Sequence, residues 1–235
     1  MTAREDRGTK PRGPYKNGLK RRREIVDAAT VVFGQYGYHG GSLRTIAEMV
    51  GTTPATLVGY FTSKELLLVA VLENWNVVSS QSDGERGLDY FRANIPLMRY
   101  HVAHPGLIQL FLTMSTEATQ EDHPARPFMR ARQQTTHRTM TRELQRLVDD
   151  GVVKPLSPEL VEREVRVMIG VLDGVELGWL IDPGIDLEGV VRHHIDEAIA
   201  RWSGRSLDAV RAETDAYLAG RAARARSEKA DVGVG

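Results

Sequence analysis

The sequence predicts an all-α protein, with an N-terminal three-helix unit built around a helix-turn-helix and a larger C-terminal helical domain. Three observations carry that prediction. From about Lys20 onward, apolar residues recur at the three- and four-residue intervals that line one face of an α-helix. The punctuation between these runs is of helix type, with Ser or Thr before them and Gly or Pro after. No stretch shows the strand-length alternation of β-branched residues that a sheet would need.

Each element follows from its own residues. Residues 1–19 mix Gly, Pro and Arg without apolar periodicity and predict a disordered basic arm. The first helix places Ile25, Ala28, Ala29, Val32, Phe33 and Tyr36 on one face and stops at Gly37. Ser42 is suited to cap a short second helix that turns Leu43, Ile46, Ala47 and Val50 inward. Gly51 ends it and permits the left-handed backbone that reverses the chain. Thr53 caps a third helix, with Pro54 in the first position, where a missing amide hydrogen costs nothing. Ser63 caps a fourth, running through Leu66, Leu67, Ala70, Val71 and Trp75.

The polar stretch from Ser79 to Gly87 marks the boundary between a unit at 20–78 and a domain at 79–204. Helices are expected there near 88–103, 106–119, 125–150, 158–181 and 187–203. A further helix near 207–228 falls in the terminal segment 205–235, where Arg221, Arg224 and Arg226 form either a solvated face or an added contact.

Composition removes whole classes of function. There is no cysteine, which excludes disulfide frameworks, thiolate zinc sites and cysteine nucleophiles. The longest apolar run, Leu66 to Leu72, is far short of a membrane span, so no membrane partner is expected. No P-loop, nucleophile elbow, dinucleotide fingerprint or metalloprotease helix occurs, so neither an enzyme nor a cofactor is expected. The pairs His101/His104 and His194/Glu197 have spacing that a metal could use, but nothing assembles around them, and no metal is expected. The net charge is zero yet segregated: residues 1–64 carry 11 Lys/Arg against 5 Asp/Glu, the remainder 20 against 26. That asymmetry points the N-terminal end towards a polyanion.

Residues 42–61 have the form of a helix-turn-helix, with small Ala47 where the second helix crosses the first. The wider segment 21–75 resembles the N-terminal domain of the TetR family of bacterial transcriptional regulators. The resemblance rests on Arg23, Ile25, Ala28-Ala29, Phe33, Gly37-Tyr38, Ser42, Ile46-Ala47, Gly51, Thr53, Thr56-Leu57, Tyr60-Phe61, Ser63-Lys64-Glu65, Leu67 and Val71. It implies roles on double-stranded operator DNA. Ser42 and Arg44 would meet phosphate, with Arg44 reaching a base edge. Thr53, Pro54, Ala55 and Thr56 would lie in the major groove, with Tyr60 and Lys64 on the backbone beside it. Ser42, Thr53 and Ser63 also serve as plain caps. Val58 stands where the family usually has an aromatic residue, which puts one backbone contact in doubt. The basic arm, with Arg12, Lys16, Lys20, Arg21, Arg22 and Arg23, would add nonspecific affinity.

The resemblance further implies a homodimer, a small-molecule effector and a repressor acting in the bacterial cytoplasm on the nucleoid. An activator of the same fold, or a helical adaptor with altered DNA binding, are the alternatives. The dimer surface is expected on the helices at 158–181 and 187–203. In the first, Gly170, Gly174 and Gly178 recur every fourth residue beside Val167 and Val171. In the second, Val191, Ile195, Ala198 and Trp202 form an apolar face. For the effector pocket the apolar candidates are Met98, Phe111, Met114, Met129, Met168 and Trp179, with Leu110 and Leu172 beside them. The polar candidates are Arg99, His101, His137, Asp173 and Glu176. Segments within 95–185 loosely resemble the C-terminal domains grouped with the choline–betaine regulators, through Pro105-Gly106-Leu107, Glu117-Ala118-Thr119, Asp122-His123-Pro124 and Leu172-Asp173-Gly174.

Overall fold

The structure is a computed structural model and describes residues 14–79 and 84–232. Among them, every regular element is a helix. Among the described residues, no single helix is long and apolar enough to cross a membrane. Up to residue 13, the arm expected from the sequence lies outside the described residues. From Pro14 the chain is already helical, which shortens the irregular segment expected over 1–19. Pro14 occupies the first turn, where proline fits, and Lys20 and Arg21 pair with Glu24 one turn on.

Helix α1 (Pro14–Gly40) kinks at Gly37, whose φ of 68° only glycine adopts at little cost. The kink re-phases the inward face. Tyr36, expected inside, is 59% exposed, and Tyr38 is buried in its place. Helices α2 (Leu43–Met49), α3 (Pro54–Phe61) and α4 (Lys64–Ser79) pack around Ile25, Phe33, Ile46, Leu57 and Leu67, all fully buried. Leu66, expected on the inward face of α4, is half exposed; Leu68 and Leu72 fill that interior.

The rest of the chain folds as α5 (Leu88–Arg92), α6 (Asn94–Ala103), α7 (Pro105–Glu117), α8 (Arg126–Asp149), α9 (Pro158–Ile181), α10 (Leu187–Ser203) and α11 (Leu207–Val232). The single helix expected over 88–103 is broken at Ala93. Pro96 accounts for the break: it has no amide hydrogen to offer the carbonyl of Arg92, and its ring crowds that carbonyl. A second core joins α5, α6 and α8 to α9 and α10 through Phe91, Ile95, Leu144, Val165 and Trp202.

The two cores do not follow the boundary expected near residue 79. Leu110 and Met114 of α7, with Ala125 and Met129 from the start of α8, belong to the core of α1–α4. Helix α7 packs along α1, and Gly34 meets the backbone of Gly106 and Leu110 there. The terminal helix is equally integrated. Buried Arg92 of α5 bonds Asp89 at 2.7 Å, Glu213 at 2.9 Å and Thr214 at 3.2 Å, and Thr214 donates to buried Asp196 of α10. Arg221 meets Glu85 at 3.0 Å, so it is a contact rather than a solvated charge.

The expected dimer residues divide in two. Val191, Ile195, Ala198 and Trp202 are buried in the chain's own core and cannot form an outer surface. The reason is that α10 turns its apolar face towards α6 and α9. Its outer face holds Val190, His193, Glu197 and Arg201 instead. On α9, Val167 is 54% exposed, and Gly170 and Gly174 face open space, with Val171 half-buried beside them. Gly178 is covered by Ile185 of the following loop. Leu177 and Ile181 extend the exposed stripe.

Candidate nucleic-acid interface and internal cavity

The helix-turn-helix is built by caps. Ser42 has extended backbone, and its Oγ accepts the amide hydrogen of Thr45 at 3.0 Å. Gly51 takes a φ of 64° at the turn. Thr53 Oγ1 then accepts from the amide of Thr56 at 3.2 Å, and the two hydroxyls lie 3.0 Å apart. Ser63 Oγ accepts from Leu66 at 3.2 Å to open α4. These caps leave Thr53, Pro54 and Ala55 exposed and Thr56 partly so at the outer end of α3, while Leu57 behind them is fully buried. An exposed helix N-terminus carrying small side chains has the shape that a major groove admits.

The charged side chains around this end are partly engaged. Arg44 is exposed and reaches Glu48 one turn away at 2.9 Å. Lys64 lies over the ring of Tyr38, 4.4 Å from its centre, and burial there lowers its pKa. Tyr60 is 38% exposed and Val58 44%. Arg21 donates to the carbonyl of Gly51 in the turn at 3.4 Å, and Arg22 lies over Phe61, so these two brace the unit. Lys20 and Arg23 are exposed, while Arg12 and the side chain of Lys16 lie outside the described residues.

Between α4, α6, α7, α8 and α9 lies a cavity of about 490 Å³. It brings together Met98, His101, Phe111, Met129, Asp173 and Glu176 of the expected set, with Leu172. The other candidates are elsewhere. Met114 and Leu110 are filled core beneath α1, and Met168 and Trp179 are filled core of the second cluster. Arg99 is on the surface, bonded to Glu188 at 3.0 Å. His137 lies in a shallow groove between α8 and α9. Helical periodicity identifies an inward face, but not whether that face meets packed side chains or a void. The metal-spaced pair also separates, since His101 turns inward to Glu176 while His104 stacks on Tyr100.

Several lining residues escaped the sequence reading: Trp75, Asn94, Arg132, Gln133 and Thr136. Arg132 had a visible signal, because it interrupts the inward stripe Met129, Thr136, Met140 of α8 with a charge. Its guanidinium lies 3.8 Å from the centre of the Trp75 ring, and Trp75 stacks on Phe111 at 4.5 Å. Burial lowers the Arg132 pKa to about 10, against the charges of Asp173 and Glu176. Burial, reinforced by the charge of Glu176, raises Asp173 to about 6, against the opposing Arg132. Glu176 Oε1 lies 2.7 Å from His101 Nδ1, and both side chains are 6% exposed.

A polar joint connects cavity and helix-turn-helix. The amide of Tyr38 donates to Glu117 Oε2 at 2.8 Å, next to Gly37, where any side chain would collide with that carboxylate. His123 Nδ1 accepts from Ala125, so Nε2 carries the proton, 3.2 Å from Glu117. Tyr38 Oη donates to Glu65 Oε1 at 2.6 Å at the start of α4. That bond is the main cause holding Glu65 down at about 2.

Comparison with known proteins shows what the helix-turn-helix segment and the fold are similar to. Residues 25–71 match the family described as bacterial regulatory proteins, tetR family. A 52-residue stretch is 44% identical to the HTH-type transcriptional regulator RutR of Escherichia coli strain K12, covering 22% of this chain and 24% of that protein. The chain therefore aligns with about a quarter of the length of that relative. The HTH-type transcriptional repressor AcnR of Corynebacterium diphtheriae is 28% identical over 137 residues, 58% of this chain and 64% of that one. A solved TetR transcriptional regulator from Chloroflexus aurantiacus shares the fold, with a TM-score of 0.66 at 19% identity, over 79% of this chain and 96% of that one.

Proposed function

We infer, from the premise that this chain belongs to the TetR family of bacterial regulatory proteins, that it is a ligand-responsive transcriptional repressor of the bacterial cytoplasm. It binds a near-palindromic operator as a homodimer, and a small molecule in the helical domain releases it. The observation that carries this reading is the outward-facing end of α3, where Thr53 to Thr56 stand clear of a core that fully buries Leu57. One such helix reads too few bases for specificity, so two must act together. The stripe of Val167, Gly170, Gly174 and Ile181 on α9 supplies an apolar surface for the second subunit. In function the reader spans residues 20–78 and the effector and dimer domain 79–204, with the segment 205–235 following, although α7 and the start of α8 pack into the core of the reader.

Readout at the groove leans on thymine methyls and hydroxyls, because Thr, Pro and Ala offer no bidentate partner. Arg44 is the guanine reader once it leaves Glu48. Effector binding displaces α7, and the joint at Glu117 carries that displacement to α4 and changes the spacing of the two readers. Operator and effector then weaken each other by the same factor.

Selection of bound duplexes from a random pool tests the reading. An inverted repeat, bound with steep salt dependence, is the expected result. The exposed Val58 and the Arg44–Glu48 pair favour one rival, an adaptor without operator binding. Recovery of no duplex at low salt would establish that rival.

A further inference from the structure

We propose that the cavity takes a planar organic cation on an apolar body, and that Arg132 is its built-in stand-in, displaced when the ligand enters. The proposal rests on reading the cavity as the effector site. A positive group is already wanted there. The α9 wall holds Asp173 and Glu176, with His101 on Glu176 at 2.7 Å. The aromatic wall of Trp75 and Phe111 holds a guanidinium, 3.8 Å from the Trp75 centre and 5.7 Å from that of Phe111. A flat, delocalised cation stacks on such a wall while its edge faces carboxylates.

Arg132 meets that demand at a cost. Its guanidinium is taken from water, and burial pushes its pKa down even with two carboxylates near. Arg132 stands on α8 beside Gln133, which is exposed, and Thr136, which is partly so. A ligand that brings its own guanidinium or amidinium leaves the charge balance unchanged and lets Arg132 return to solvent. The apolar body then meets Leu97, Met98, Met129 and Ile169. An anion would instead add negative charge beside Asp173 and Glu176, and a neutral molecule would leave Arg132 in place. Arg126 and Arg130, also on the lining, do not reverse this: Arg130 is exposed, and Arg126 is spent on the carbonyl of Thr119 at 2.7 Å.

The test is calorimetric titration of the full chain with four probes of one chain length: octylguanidinium, octyltrimethylammonium, octanoate and octanol. Octylguanidinium is expected to bind tightest. Asp173→Asn should weaken it about tenfold, through the lost charge-assisted contact. Arg132→Gln should strengthen it about three- to tenfold, because the site no longer has to be vacated first. The opposite signs are the signature, and a melting curve on each unliganded variant shows that it is folded. Tighter binding of octanoate or octanol, weaker octylguanidinium binding in Arg132→Gln, or no binding of any probe would each overturn the proposal. Octyltrimethylammonium equal to octylguanidinium would overturn its planar part. The same probes added to operator complexes separate the two readings. Guanidinium binding without operator release leaves the cation site standing and removes the regulatory reading. Release by octanoate alone does the reverse.

Discussion

The reader and the cavity domain treat polar groups in opposite ways. Around α2 and α3, hydroxyls cap helix ends at the surface, and the interior from Ile25 to Val71 is apolar apart from Thr30, whose hydroxyl donates to the carbonyl of Val26. Around the cavity, the charges of Asp173, Glu176 and Arg132 are drawn inward. The contrast extends to proton affinity. Glu65, in the first region, is held down at about 2 by the hydrogen bond from Tyr38, while Asp173, in the second, is raised to about 6 by burial. Drawing ions out of water costs free energy even where they meet partners, as Glu176 meets His101. That the second region carries this cost marks it as a place kept for something other than stability.

The largest expected difference is in packing. Leu57→Ala empties a fully buried site in the reader and should cost about 3–5 kcal/mol. Leu172→Ala, which only enlarges an existing cavity, should cost about 2–3 kcal/mol. Urea denaturation of both variants checks the order, and equal losses would mean that the cavity collapses around the smaller side chain.

Next comes pH. Because the folded pKa of Asp173 lies above its unfolded value, the native state holds that proton more tightly between about pH 4 and 6. Its contribution is fully present below pH 4 and is lost as pH rises through about 6. Asp173→Asn should therefore stabilise the ligand-free protein by about 1–3 kcal/mol at pH 8 and leave it unchanged below pH 4. Glu65 has the reverse sign: its stabilisation is present above the usual carboxylate range and disappears as pH falls towards 2. Glu65→Gln should thus differ from the parent at pH 6 and converge with it in acid. Melting temperatures across the pH range would show the two variants diverging from the parent in opposite directions.

A smaller effect separates capping from recognition. Thr53 and Ser157 make the same cap, accepting amide hydrogens at 3.2 and 3.3 Å. Replacing either by Ala should cost about 1 kcal/mol of stability. Only Thr53→Ala should also weaken operator binding, which a gel-shift titration measures. The smallest effect on stability is expected at Arg44. Its pair with Glu48 is fully solvated, so Arg44→Ala should change stability by less than about 0.5 kcal/mol. Operator affinity should fall all the same, with the salt slope reduced by about 1.

The same contrast explains what could be read from the sequence. Helix ends in the reader are set by neighbours a few residues away, so Ser42, Gly51, Thr53 and Ser63 announce α2, α3 and α4 unaided. The kink at Gly37 was visible as a stop, but its re-phasing of Tyr36 and Tyr38 depends on Glu117, far along the chain. In the second domain the helices from α7 onward were legible, whereas Pro96 alone betrayed the break before α6. The cavity lining was half legible. Asp173, Glu176 and His101 stood out as polar groups on apolar faces, while the void that makes Met98 a lining residue, and Met168 not, exists only once five helices are assembled. On α10, apolar character at Val191, Ile195 and Trp202 did not reveal which neighbour would cover it.

The carboxylate of Glu117 has a consequence for how such a molecule can change over time. It ties the last turn of α7 to the first bend of the chain, so mutations there carry a double penalty. Among the described residues, Gln133, Thr136, Ile169 and Asp173 of the cavity wall lie outside the α1–α4 core cluster. On the proposed reading, substitutions at Gln133, Thr136, Ile169 or Asp173 would retune which compound is sensed and leave the operator specificity of the same chain intact.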